Sequence, residues 1–204
     1  MSLSSRIYLN RSVIALILAN LVTIVFAVVE KWDLSYVMLI YWAQSVIIGL
    51  FNWKRILDLK QFSTKGFQIN DRPVKPTRAT QLQTAFFFLL HYGFFHFIYL
   101  IFLASEKRTL SAVPVLGLVV CVATFIVNHF FSYLHNRKTD ATRKPNIGTI
   151  MFFPYARIIP MHLTLLSGQY FAAGSRGALV LFLALKTLAD VIMHTVKHAI
   201  AGSR

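Results

Sequence analysis

The chain has 204 residues, 56% of them hydrophobic, and a mean hydropathy of +0.60. A single soluble core of this length cannot enclose so much apolar surface, because small domains keep a large share of their residues at the surface; lipid is the solvent that accepts the excess. Most of the 21 Lys and Arg, against 7 Asp and Glu, fall between the apolar runs, where they set topology and meet anionic headgroups, so the charge argues for a membrane and against nucleic acid.

Apolar runs of roughly 17 to 25 residues bounded by charge mark membrane-crossing helices. In chain order they fall at 12–29, 34–52, 84–104, 111–133, 149–172 and 176–200. The first follows Arg6 and Arg11, as a secretory signal would, but it is long for a signal core and no small-x-small cleavage site follows it, so it is expected to remain as a helix. A basic stretch at 53–83 separates the second and third runs and contains Gly66, Pro73 and Pro76; its apolar residues Ile56, Leu57 and Leu59 suggest an interfacial helix. Glu106, Lys107 and Arg108 mark a short turn, a second basic loop lies at 135–147, and Pro154 and Pro160 interrupt the fifth run. The runs are continuous and too long for barrel strands. Cys121, the single cysteine, lies in the fourth run and has no intrachain partner for a disulfide.

Fifteen Lys and Arg residues fall on the side of the N-terminus, the two basic loops and the C-terminal tail; four (Lys31, Lys107, Arg108 and Arg176) fall on the other. Cationic loops stay in the cytoplasm, so both termini are expected there.

Polar groups within the runs carry the functional reading, because an ionisable side chain in lipid is costly and tends to face a bundle interior or a cavity. They include Asn20, Gln44, His91, His96, Asn128, His129, Arg157, His162, Lys186, Asp190 and His194. A rise of roughly 1.5 Å per residue places Asn20, Gln44, His91, His129, Arg157, Asp190 and His194 in one layer of the cytoplasmic half. Lys186, Asp190, His194 and His198 recur every fourth residue and form one slowly drifting stripe. Imidazole and carboxylate suit a divalent metal, zinc or iron, so Asp190, His194 and His91 are candidate ligands, with His129 or His162 completing the shell. Haem between two facing imidazoles ranks behind it. Arg157 and Gln44 are candidates for holding a substrate group, and a metal-bound water would supply a nucleophile for a membrane enzyme. The alternatives are a proton- or ion-coupled transporter or channel using the same residues as a relay, and a non-catalytic scaffold in which they only bond helices together.

Three segments, YWAQSVIIGLFNWKRI (41–56), PYARIIPMHLTLLSG (154–168) and LADVIMH (188–194), together resemble a family of small prokaryotic multi-span membrane proteins known as a domain of unknown function. The resemblance implies a prokaryotic cytoplasmic membrane location and supplies no activity. In that family's pattern the position of Gln44 is often acidic, so the amide removes one ligand or proton carrier from this chain. The H-x-x-x-H pair His194 and His198 is similar to one in the hydrolases that include alkaline ceramidases and adiponectin receptors, although those proteins have seven spans.

The resulting expectation is an all-α, six-span transmembrane bundle forming a single domain over 1–204. The lipid bilayer, with anionic headgroups at the basic loops, is its expected partner.

Overall fold

The computed structural model describes Val25, Val29 and residues 34–105, 115–167 and 176–202. The span expected at 12–29 lies outside them except for Val25 and Val29, as do the turn at Glu106, Lys107 and Arg108 and both chain ends. The described chain is almost entirely helical, as the continuous apolar runs require. Its elements are α1 (Leu34–Asp58), a hairpin of β1 (Gln68–Ile69) and β2 (Arg72–Pro73), α2 (Arg78–Ser105), α3 (Val115–Thr142), α4 (Ile147–Phe152), a 3₁₀ turn (Phe153–Arg157), α5 (Ile158–Ser167) and α6 (Arg176–Gly202). Of these, α1, α2 and α3 are long and apolar enough to cross a membrane.

The chain divides into two compact units, Met38–Tyr155 and Met1–Val37 with Ala156–Arg204. In the first, α1 and α2 run from the ends of one connection, and its details explain their boundaries. The predicted loop at 53–83 is narrower than expected: α1 continues to Asp58, taking in the fully buried Ile56 and its neighbour Leu57, so no separate interfacial helix forms from them. The last carbonyls of α1 are satisfied from α2. Gln81 Nε2 donates to the carbonyls of Ile56, Leu57 and Leu59 at 2.7, 3.2 and 2.9 Å, and Arg78 Nη1 donates to that of Leu57 at 3.1 Å. Thr77 caps the start of α2: its hydroxyl accepts from the Thr80 amide at 3.2 Å and its carbonyl from the Gln81 amide at 3.0 Å. The hairpin turns through Asn70 and Asp71, both at positive φ (50° and 59°), the pairing a two-residue turn of this hand requires.

The second basic loop is stapled to the first. Ser63 N–H donates to the Pro145 carbonyl at 2.9 Å, Ile147 N–H to the Ser63 carbonyl at 3.0 Å, and Asn146 Nδ2 to the Lys65 carbonyl at 2.8 Å. Asn146 also caps α4, accepting from the Thr149 amide at 3.1 Å. The C-terminal ends of α1 and α3 and the N-terminal ends of α2 and α4 therefore meet at one end of this unit. Away from that end, α2 and α3 leave large apolar side chains exposed, among them Phe86 (63%), Phe97 (61%) and Leu116 (77%). A contiguous apolar surface of this kind fits lipid, not water.

In the second unit α5 packs along α6, which buries Leu179, Phe182 and Leu183. The predicted proline break is present in the backbone: α4 passes at Phe153 into the 3₁₀ turn that contains Pro154, and Pro160 falls in the first turn of α5, where its missing N–H costs no helical bond.

Candidate functional site

The best-built polar cluster lies between α1 and α2. Gly49 on α1 permits the close approach, since a Cβ there would run into the Tyr92 ring. One turn earlier, Ser45 faces Tyr92 and His96, which are themselves one turn apart on α2. His96 Nδ1 is 2.8 Å from the Tyr92 carbonyl, which only accepts, so Nδ1 carries the hydrogen and Nε2 is left as an acceptor. Ser45 Oγ lies 2.9 Å from that Nε2 and donates to it. The Tyr92 hydroxyl lies 2.8 Å from Ser45 Oγ and donates to the Ser45 carbonyl at 3.0 Å. Trp42 Nε1 closes the cluster by donating to the His96 carbonyl at 2.8 Å. Tyr92 stacks on the His96 ring with centroids 4.3 Å apart.

A hydroxyl donating to an oriented imidazole is the spacing of a nucleophile and its base. Here Ser45 is 2% exposed and His96 4%, and Tyr92 occupies the ground beside Ser45 that a reacting carbonyl would need. The arrangement bonds α1 to α2 and leaves no approach to the hydroxyl.

A second pair lies further toward the basic end of α2. His91 Nδ1 is 2.9 Å from the hydroxyl of Tyr155, which the 3₁₀ turn presents. Phe87 stacks on the His91 ring at 5.0 Å and Phe95 meets it edge-on at 5.1 Å. At the basic end itself, Arg55 grips Asp140 in a two-pronged pair, Nε to Oδ2 at 2.6 Å and Nη2 to Oδ1 at 2.9 Å. Asp58 accepts a hydrogen bond from Tyr133 and pairs with Lys54 at 3.3 Å. Asn52 Nδ2 donates to the Ile150 carbonyl at 3.0 Å. These bonds fasten α1 to α3 and α4.

The predicted site residues fare unevenly. His91 is exposed on α2 and its Nδ1 is engaged by Tyr155; His129 and Gln44 are half-buried on α3 and α1; His162 is exposed on α5 in the other unit. The side chains of Arg157, Asp190 and His194 lie outside the described residues. Among the described residues no three His, Cys, Asp or Glu come together as a metal site, so the expected histidine-rich metal cluster has no support from them. Ser45, Tyr92, Tyr155, Gln81 and Asp140 were missed. Hydroxyls and amides attract less notice than histidines in an apolar run, and Asp140 reads as a loop acid until its partner 85 residues away is known.

A family model described as a family of unknown function (DUF6498) matches residues 2–204, and the chain belongs to that family. No curated protein and no solved structure matches it.

Proposed function

We propose that this member of a family of unknown function is a multi-pass membrane scaffold. In this reading it has six spans with both termini in the cytoplasm, in a prokaryotic cytoplasmic membrane. Its intramembrane polar residues hold helices together, and its stapled basic end is the cytoplasmic face. One observation carries the reading: five polar side chains of α1 are bonded to neighbouring helices, Trp42 and Ser45 to α2, Asn52 to α4, Arg55 and Asp58 to α3. In lipid such bonds contribute about 0.6 to 2 kcal/mol each and specify which helices pair. The orientation is supported by the concentration of Lys and Arg at the stapled end.

A second reading is a divalent-metal enzyme, zinc or iron, with Asp190, His194 and His91 as ligands, completed by His129 or His162, and with Arg157 and Gln44 toward substrate. It is favoured by the continuity of α6 through Arg176–Gly202, which puts Asp190 and His194 one turn apart on one face.

The two readings part on one preparation. Purified protein is assayed for zinc, iron and manganese, and reconstituted in liposomes for proton and ion flux. The scaffold reading expects neither bound metal nor flux, and expects His96→Ala and His194→Ala to alter thermal stability alone. One equivalent of metal that disappears in His194→Ala would replace it with the metal reading. Flux abolished by Asp190→Asn would replace it with a transporter.

A further inference from the structure

Six exposed cations crowd the stapled end: Lys60, Lys65, Arg72 and Lys75 from the first loop, Arg143 and Lys144 from the second. The acids nearby do little to offset them. Asp140 is engaged by Arg55 and Asp58 by Lys54 and Tyr133, which leaves Asp71 at the hairpin tip. Sorting a loop to the cytoplasm needs only positive charge, with no particular conformation. These cations instead sit on folded backbone. The Thr64 hydroxyl donates to the Val74 carbonyl at 2.6 Å, the Thr80 hydroxyl to the Lys75 carbonyl at 2.8 Å, the hairpin spans Gln68 to Pro73, and the two loops are joined through Ser63 and Asn146. Beneath them Leu59, Phe62 and Phe67 are buried, which ties the surface to the ends of the apolar helices. A charged surface at that level faces lipid headgroups, and cations on an ordered backbone lose less freedom on binding than cations on a loose chain.

We propose that this end of the unit is a docking surface for the phosphodiester headgroups of anionic phospholipids in the leaflet where α1 and α3 end. The proposal deepens the scaffold reading by naming what its basic face engages: acidic lipid gathered around the helix ends.

The test uses the full chain in neutral detergent, titrated with phosphatidylglycerol or phosphatidylcholine, with bound lipids counted by native mass spectrometry. Wild-type protein is expected to prefer phosphatidylglycerol, and the preference is expected to shrink as salt rises. With each basic residue contributing up to about fivefold near an acidic surface, Lys60→Gln/Lys65→Gln/Arg72→Gln/Lys75→Gln is expected to lose the preference by tenfold or more while its melting temperature holds. If that variant melts early, Arg143→Gln/Lys144→Gln on the second loop serves in its place, with a loss of at least fivefold expected. Equal retention of the two lipids by wild-type protein, or unchanged preference in a variant that is folded, overturns the proposal. So does displacement of phosphatidylglycerol by a short RNA, which would make the surface a nucleic-acid site. The scaffold reading fails on metal content or flux, measured separately, so either can fall without the other.

Discussion

At the scale of single residues, the Ser45 cluster makes a specific claim about cost. Removing the hydroxyl in Ser45→Ala leaves His96 Nε2 without its donor and removes the contact between Ser45 Oγ and the Tyr92 hydroxyl. We expect a loss of about 1 kcal/mol in unfolding free energy in detergent, in the range of interhelical hydrogen bonds in lipid. Gly49→Ala should cost more, about 1–3 kcal/mol, because the added carbon displaces the Tyr92 ring and with it both hydroxyl contacts. If Gly49→Ala melts like wild type, the close approach of α1 and α2 is wrong. The residue scale is also where the sequence was least legible. His96 stands out in the sequence as one of several histidines in apolar runs, whereas Ser45 does not, because a serine in an apolar run carries no signal until the helix opposite it is known.

At the scale of elements, helix positions were largely legible and helix ends were not. The runs at 34–52 and 84–104, and the described part of the run at 111–133, each lie on a helix, but α1 and α3 extend well past the apolar residues and α2 begins before them. The extensions form because polar partners satisfy them: Gln81 and Arg78 close the end of α1, and Arg55 with Asp140 binds its last turns to α3. Gln81→Ala should therefore destabilise by about 1–3 kcal/mol, since buried carbonyls lose their donor. For the ion pair, a double-mutant cycle over Arg55→Ala and Asp140→Ala should return a coupling of about 1–2 kcal/mol, below that of a fully buried pair because the arginine side chain is 25% exposed. A coupling near zero in denaturant titrations would mean that the pair does not fasten α1 to α3.

At the scale of the whole molecule, the decisive question is which face of the membrane the basic end occupies. Single cysteines in place of Lys65 and Lys144, on a background with Cys121 replaced by alanine, test it in intact cells. Both should resist a membrane-impermeant thiol reagent from outside and react after lysis. Labelling of Lys65→Cys from outside would invert the proposed orientation. Opposite results at the two positions would contradict the stapling of the loops, since Ser63 and Asn146 place both on one end.

The sequence by itself determined the class of structure and the presence of helices long and apolar enough to cross a membrane. Continuous apolar runs with most of the charge between them have few ways to satisfy their backbone in lipid, and helices are the one that needs no partner strand. It also determined the proline break, because Pro154 and Pro160 act through local sterics. What only the tertiary structure decided was the use of each polar residue. Whether a histidine meets a metal, a serine or a tyrosine depends on which helices become neighbours and in what register. That is set by contacts between residues far apart in the chain, such as Ser45 with His96 and Arg55 with Asp140. The two basic loops illustrate the division: their charge is plain from composition, but their joining into one folded surface depends on backbone bonds between Ser63 and residues near 146, which no local pattern announces.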